Sequence, residues 1–230
     1  MRIEKFDFKK EPNIGLFCFS TDSFCLSNFD LSEKNIKTIK NVLNVPLIQT
    51  SLLGTPLVGI FAAGNSNGII VSNHIFDEEL EFLKKKINVL VLKTNYTAIG
   101  NLILANDNGC VISKKLSKFA DQIENFLGVK VVVGKIFGMD LVGSLAICNN
   151  NGCIVHKMAK KSEIDVLKKI LDVDVGPGTV NFGNPWVKSG IITNSNGVLV
   201  GNLSTGPELG NIADILIPMN KNHKLHKNNN

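Results

Sequence analysis

The chain has 230 residues and a formal net charge of +5, with 44% apolar and 20% charged residues. This balance excludes a wholly disordered chain and fits a soluble domain with a sizeable core, while the modest charge permits a nucleic-acid partner without requiring one. No apolar stretch approaches the roughly 20 residues that span a bilayer. Charges interrupt the start of the chain, where a secretory signal would be apolar, so we expect a cytoplasmic protein.

The first predicted element is a strand over Ile3–Phe8, and five copies of one pattern follow it. In four copies an Asn-x-Asn-Gly turn separates two apolar runs, and Ser20–Phe24 is a degenerate copy of that turn. Asn-Gly between apolar runs predicts a two-residue hairpin of type I′, because both residues tolerate positive φ. The last turn residues stand at 24, 68, 109, 152 and 197, so the repeat is 41 to 45 residues long.

A helix is predicted after each hairpin, because apolar residues recur every three or four positions there. The expected start signals are N-cap residues in the first four copies and a first-turn proline in the fifth: Ser32, Asp77, Ser117, Ser162 and Pro207. A third strand is predicted at 45–48, 89–92, 129–133 and 173–175. The fifth copy ends after its helix, so the N-terminal strand is expected to supply its third strand.

One helix and three short strands are too small to bury a core alone, so the five units must pack together. We therefore predict an α/β fold, a pentein propeller of five ββαβ units in a closed pseudo-fivefold ring, with strands inside and helices outside. A linear array is the alternative, and the lack of capping sequences disfavours it. The expected units are about 14–56, 57–98, 99–140, 141–185 and 186–219, with 1–13 closing the ring of a single domain, 1–219, and a disordered basic tail at 220–230.

A second landmark keeps the same register, nine residues before the last residue of each turn. Four copies have glycine there and the fifth has Lys188, each after an aliphatic residue. In a closed ring these steps lie at one end, where glycine suits either tight packing at the axis or a flat docking surface. The candidate binding residues are Gly15, Leu16, Gly59, Ile60, Gly100, Asn101, Gly143, Ser144 and Lys188.

The residues that carry chemistry predict no catalytic, cofactor or metal site. Cys153 and His156 are three apart on a strand, which places them on opposite faces and rules out a direct activating hydrogen bond. The five cysteines have no metal-ligand spacing. A Cys148–Cys153 bridge stays conceivable, although a reducing cytosol disfavours it. The Gly176-Pro177-Gly178 turn lacks the order of a phosphate-binding loop.

Several short motifs, in a fixed order around the repeat, resemble those of the translation initiation factor 6 family of archaea and eukaryotes. The most specific is Gly178-Thr179-Val180-Asn181-x-Gly183; Gly64-Asn65-x-x-Gly68, Ile99-Gly100-Asn101 and Val142-Gly143-Ser144 are others. The resemblance runs from Ile3 to about Asn220. It implies the five-unit pentein fold. The long regulatory tail of eukaryotic members has no counterpart here.

The same resemblance implies a partner, the large ribosomal subunit, bound on its intersubunit face so that the small subunit cannot join. The implied contacts are a ribosomal protein near the sarcin-ricin loop and rRNA at the rim, with a further role in subunit maturation. We expect a monomer that binds neither DNA nor membrane. Two alternatives remain, a pentein enzyme that modifies guanidino groups and a generic rRNA-binding module. The first would place its nucleophilic cysteine near the C-terminus, where this chain has none.

Overall fold

The computed structural model describes residues 2–28 and 31–217. In chain order its strands are β1 (Arg2–Phe6), β2 (Cys18–Ser20), β3 (Cys25–Ser27), β4 (Leu47–Gln49), β5 (Ala63–Asn65), β6 (Gly68–Ser72), β7 (Val89–Leu92), β8 (Ile103–Ala105), β9 (Gly109–Ile112), β10 (Lys130–Val133), β11 (Ala146–Cys148), β12 (Gly152–His156), β13 (Asp174–Gly178), β14 (Ile191–Thr193) and β15 (Gly197–Gly201).

The helices are α1 (Glu33–Leu43), α2 (Val58–Phe61), α3 (Asp77–Lys84), α4 (Ile99–Leu102), α5 (Ala120–Leu127), α6 (Val142–Leu145), α7 (Lys161–Leu171) and α8 (Gly206–Leu216), with 3₁₀ turns at Ile14–Leu16, Lys114–Phe119 and Val187–Gly190. Within the described ranges, no helix is long and apolar enough to cross a bilayer. The predicted tail 220–230, and residues 218–219 of the predicted domain, lie outside the described residues.

The strands form five three-stranded sheets, one for each repeat unit. In each sheet the middle strand pairs antiparallel with the first and parallel with the third. The fifth sheet takes its third strand from the other end of the chain, because β1 pairs in parallel with β15 from Arg2↔Gly197 to Phe6↔Gly201. The predicted α/β fold of five repeated units is confirmed.

The units close into a ring through five short helical turns. In chain order these are the 3₁₀ turn at 14–16, helices α2, α4 and α6, and the 3₁₀ turn at 187–190. Each contacts the next, and the last also contacts the first, which closes the ring. The first strands of the units lie inside this ring, where β5, β8, β11, β14 and β2 contact one another in succession. The outer helices pack across the joints; α7, for example, lies against both β13 of its own unit and β9 of the preceding one.

The hydrophobic core is divided among the joints rather than among the units. One cluster joins Ala63 and Ile70 of the second unit to Ile99 and Leu127 of the third, and another joins Phe6 and Leu199 to Ile39 of the first. Since each cluster draws on two neighbours, no unit has a core of its own.

The asparagine turns differ from the predicted type I′ geometry. In the turn of the second unit, the side-chain oxygen of Asn65 accepts from the backbone N–H of Asn67 at 3.0 Å, which is an Asx-type turn. Neither Ser66 nor Asn67 has a positive φ, so the type I′ prediction is wrong. The turn residue is glycine because of a contact with the next unit: a Cβ on Gly109 would lie 1.9 Å from the carbonyl oxygen of Ile170.

The first asparagine of each turn also ties its unit to the next. The Asn65 amide donates to the carbonyl oxygens of Asn106 and Leu127 at 3.3 and 3.0 Å. Asn106, Asn149 and Asn194 repeat this link to the next turn and to the last residue of the next outer helix. This end of the ring therefore holds the C-termini of α1, α5, α7 and α8. We call it the asparagine end, and the end with the five short helical turns the glycine end.

Several helix starts differ from the predicted residues. Ser32 caps α1 as expected, and its side chain accepts from Asn35 N at 3.2 Å. The predicted caps Asp77 and Ser162 lie inside their helices, and Ser117 lies within a 3₁₀ turn that begins after Ser113. In α3 and α7 the reason is a glutamate in the first turn, such as Glu163, which accepts from the backbone N–H of Lys160 at 2.8 Å and so caps the helix from within. In the third unit Ser113 is the cap, because its side chain accepts from Lys115 N at 3.2 Å.

Candidate docking surface at the glycine end

The predicted binding residues meet around one depression in the centre of the glycine end. Its volume is about 380 Å³. The lining residues are Asn13, Gly15, Leu16, Gly59, Ile60, Asn101, Leu141, Ser144, Asn184, Trp186, Lys188 and Ser189. Gly100 and Gly143 are the predicted residues that do not line it; both are buried.

The glycines themselves are required by packing at the axis. A Cβ on Gly59 would lie 2.0 Å from the carbonyl oxygen of Gly15, and one on Gly143 would lie 2.3 Å from that of Gly100. No side chain fits at these distances. The residues that follow the glycines are different in character, since Leu16, Ile60, Asn101, Ser144 and Ser189 are all half-buried and line the depression. Packing therefore explains the glycines but not the residues that follow them.

Lys188 stands where the other four units have glycine, and its side chain closes the axis. Its ammonium donates to the carbonyl oxygen of Gly100 at 2.6 Å, across the ring from its own unit. The residue is half-buried as a whole, but its amine is enclosed, and burial lowers the pKa of that amine from 10.5 to about 7. Behind it lies an axial cavity of about 50 Å³, lined by the first strands of the ring.

The depression is therefore nearly free of charge. None of its lining residues carries a carboxylate, and its one ionisable group, Lys188, turns its amine inward. The exposed atoms belong to aliphatic side chains, one indole, amides and hydroxyls. A surface of this composition matches the core of a protein–protein interface better than a phosphate-binding site.

Exposed aromatic and aliphatic side chains surround the depression, and the sequence analysis did not find them. Among the described residues, all the large exposed hydrophobics except Val133 and Val166 lie in loops of the glycine end: Phe76, Tyr96, Phe137, Met158, Phe182, Trp186 and Leu203. Phe182 is 82% exposed. An apolar rim of this extent on one end of the ring indicates a surface that another macromolecule covers.

Two of these loops hold a phenylalanine outward in a left-handed backbone conformation. Phe137 has φ 52° and Phe182 has φ 63°, and each precedes a glycine of positive φ. Left-handed backbone costs a residue with a side chain roughly 1–2 kcal/mol, so other contacts must hold it. A signal existed in the sequence: Gly54, Gly138 and Gly183 each stand five residues before the landmark of their unit.

The contacts that hold these loops come from the same glutamates that cap the helices. Glu208 accepts from the backbone N–H groups of Gly183 at 2.9 Å and Phe182 at 3.2 Å, and from the hydroxyl of Thr179 at 2.8 Å. Burial alone would raise the pKa of Glu208, but these hydrogen bonds and those from Thr205 lower it to about 2. The carboxylate is thus a fixed anion that joins loop to helix.

The residues considered for catalysis, His156 and Cys153, are both engaged in packing within the protein. His156 Nδ1 accepts from the backbone N–H of Met158 at 3.1 Å, and its ring stacks on Phe137 with centroids 4.7 Å apart. The Cys153 thiol is buried, and its hydrogen bond with Cys148, together with burial, raises its pKa. A thiol of this kind resists forming a thiolate nucleophile.

Cysteine pairing and metal ligation were also considered for this chain. All five cysteines are free, including the strand partners Cys148 and Cys153. Within residues 2–28 and 31–217, no three His, Cys, Asp or Glu side chains are grouped as metal ligands would be. The docking surface is therefore the main candidate for a functional site.

The chain matches one protein family along almost its whole length. The eIF-6 family model matches residues 3–215. Proteins named translation initiation factor 6 are 42% identical in Thermococcus onnurineus and 45% identical in Thermococcus gammatolerans, each over 94% of this chain and 98% of the relative. The one from Methanocaldococcus jannaschii is 38% identical over the same shares. Among solved structures, an agmatine deiminase from C. jejuni aligns with a TM-score of 0.40 and 16% identity, over 53% of this chain and 50% of that one.

Proposed function

We propose, because this chain belongs to the eIF-6 family, that it is a cytoplasmic initiation factor that binds the large (50S) ribosomal subunit through its glycine end. Bound on the intersubunit face, it would prevent association with the small subunit, and it would also aid maturation of the large one. The initiation-factor role is supported by the names of relatives that align over almost the entire chain. It acts as a monomer and without catalysis.

The observation that supports this use of the glycine end is its chemistry. An uncharged depression with an aromatic rim suits an apolar anchor from a protein partner, which the resemblance identifies as a ribosomal protein near the sarcin-ricin loop. Exposed lysines such as Lys9, Lys10 and Lys157 lie in loops at the edge and suit the rRNA around that protein. A generic rRNA-binding module would be expected to have lysine or arginine side chains at the centre of this surface. The one lysine there, Lys188, is bonded to Gly100 O.

Blocking of the small subunit follows from the bulk of the bound ring. A compact domain of this length has a radius of gyration of about 17 Å. A body of that size on the intersubunit face would hold the two subunits apart without any chemical step. The enzymatic alternative finds no support in a buried thiol whose pKa is raised.

The test is sedimentation of the purified protein with separated ribosomal subunits on a sucrose gradient. The variants Ile60→Asp and Asn101→Ala alter the depression, and Val166→Asp is a matched control because Val166 is an exposed apolar residue on α7. Desolvating a new, unpaired charge in an interface costs several kcal/mol, so Ile60→Asp should lower affinity at least tenfold. Val166→Asp should sediment with the large subunit as wild type does.

Two results would contradict the proposal. One is a folded Ile60→Asp protein, judged by circular dichroism, that still co-sediments normally and still blocks subunit joining. The other is turnover of agmatine or arginine that vanishes in Cys153→Ser. The proposal expects no such turnover, and it expects Cys153→Ser to bind the large subunit as wild type does.

A further inference from the structure

The joint between the first and second units departs from the rest of the ring at the asparagine end. Thr21 occupies the position of the linking asparagine, and its hydroxyl bonds to Phe24 O at 3.3 Å within its own turn. Phe24 occupies the position of the turn glycine and is buried. A threonine hydroxyl is too short to reach the next outer helix. At the turn glycines of the third, fourth and fifth units, a Cβ would meet a carbonyl oxygen of the next outer helix, so a phenylalanine there would not fit the same arrangement.

The neighbouring helix also ends differently at this joint. Helix α3 ends at Lys84, and its length of 8 residues does not distinguish it, because α5 also has 8. Its C-cap residue, Lys85, is right-handed with φ −73°, whereas α1, α5 and α7 end in left-handed residues. The last turn of α3 is thus free of the side-chain amide that ties each of the other outer helices to the preceding unit.

A groove of about 460 Å³ opens at this joint. One wall is the first unit and the other is the end of α3 with the turn of the second unit. The lining residues are Ser23, Phe24, Pro46, Ile48, Ser66, Asn67, Lys84, Lys85, Lys86, Ile87 and Asn88. Phe24 and Ile48 are buried, so the accessible walls are mostly hydroxyl, amide and ammonium groups.

The three lysines of the groove are exposed and have no carboxylate within 4.0 Å among the described residues. Lys86 lies over the ring of Phe82, 5.3 Å from its centroid, which leaves its charge in place. Asp22, which precedes Ser23 on the facing wall, accepts hydrogen bonds from the Asn150 amide and from the backbone N–H of Ser195, at 2.7 and 2.6 Å.

Two other carboxylates lie near the walls: Asp107 accepts from the backbone N–H and the hydroxyl of Ser66 at 2.8 and 2.7 Å, and Glu81 stands three residues before Lys84 on α3. The three lysines form no ion pair with these described acids, so the groove carries an excess of positive charge.

We propose that this groove binds the phosphodiester backbone of single-stranded RNA. Lysines act as point charges that suit phosphate, and the Ser23 hydroxyl lies beside them as a further donor. The other polar side chains of the groove already donate within the protein: Ser66 to Asp107, Asn67 to Leu127 O and Asn88 to Asn67 O. A carboxylate-bearing peptide is the less suitable occupant, because fork-like carboxylate recognition uses arginine and the only arginine in the chain, Arg2, lies elsewhere. The groove also lacks the exposed apolar floor that an amphipathic acidic peptide needs.

This site lies at the asparagine end, opposite the proposed docking surface, so it does not depend on the proposed function. If both hold, the factor offers an RNA-binding groove on the side that faces away from the large subunit.

The test is fluorescence anisotropy of a labelled 12-nucleotide single-stranded RNA with the full chain, at salt concentrations from about 50 to 200 mM. Each lost phosphate contact on a single strand lowers the salt slope by about 0.7, so Lys84→Gln/Lys85→Gln should lower it by about 1.4. The matched control is Lys168→Gln/Lys169→Gln, which removes the same charge from the end of α7 at an ordinary joint. Ser23→Glu, which keeps every lysine, should also weaken binding at least tenfold.

Equal losses in the lysine pair and its control would overturn the proposal, since binding would then reflect overall charge. So would RNA binding too weak to detect, or displacement of the RNA by polyglutamate at matched charge, which would identify an acidic peptide as the occupant. Co-sedimentation of Lys84→Gln/Lys85→Gln with the large subunit should be normal, so failure of this proposal and of the docking proposal remain distinguishable.

Discussion

Replacing Asn149 by alanine should destabilise the whole ring, because this side chain holds two units together. Its amide lies 3.0 Å from Thr193 Oγ1 and 3.1 Å from the carbonyl oxygens of both Asn194 and Leu216 in the fifth unit. Its oxygen accepts from two backbone N–H groups of its own turn at 2.8 and 3.0 Å. An amide has two hydrogens, so the variant loses about four hydrogen bonds.

The magnitude follows from the burial of these groups. Asn149 is only 5% exposed, so water cannot replace it at every partner. A typical hydrogen bond contributes about 1 kcal/mol net, and a buried partner left unsatisfied costs about 1–3 kcal/mol. We expect a loss of about 3–5 kcal/mol, a large part of the roughly 5–15 kcal/mol that stabilises most domains.

Urea unfolding followed by circular dichroism measures this loss. The control is Asn88→Ala, because Asn88 is an exposed asparagine whose side chain donates one hydrogen bond, to Asn67 O at 2.9 Å. That change should cost no more than about 1 kcal/mol. Since each core cluster spans two units, the Asn149 variant should still unfold in one transition. A loss equal to that of the control, or separate unfolding of the fifth unit, would refute the reasoning.

Three further perturbations probe the glycine end. The pKa of Glu208 is lowered from 4.5 to about 2, so its contribution is full above pH 4.5 and is lost as the pH falls toward 2; across that range wild type should lose about 3 kcal/mol more stability than Glu208→Gln in urea titrations. Gly143→Ala should prevent folding, seen as insoluble expression, because its Cβ would lie 2.3 Å from Gly100 O. Burial lowers the pKa of Lys188 to about 7, so the folded state binds its proton less well than the unfolded state; wild type should gain stability relative to Lys188→Met as the pH rises from 7 to 10.

Much of the fold could be predicted because its signals are local and repeated. The hairpin turns, the amphipathic helices and the missing third strand of the last unit all follow from short segments of the chain. The pairing of β1 with β15 needed only the observation that one unit lacked a strand and the N-terminus had a spare one. The exact boundaries of the units stay a prediction.

The turn type and the helix starts were predicted wrongly because they depend on contacts between distant segments. Gly109 looked like a turn residue that needs positive φ, but it is glycine because Ile170 O lies where its Cβ would be. Asp77 looked like a helix cap, but Glu79 determines where α3 starts, since it accepts from the backbone N–H groups of Phe76, Leu53 and Gly54. No local pattern in a single sequence reports on such partners.

Symmetry offers a way to separate packing from function in a ring of this kind. Where units contact one another they favour the same residue in four of the five copies, as the landmark glycines and the linking asparagines show. Residues that differ between equivalent positions and remain accessible are free of that demand. Two such places form concave surfaces, the depression of the glycine end and the groove where Thr21 and Phe24 replace the usual pair. The departures from the repeat are therefore where partners should be sought, and the two surfaces differ enough in charge to select different ones.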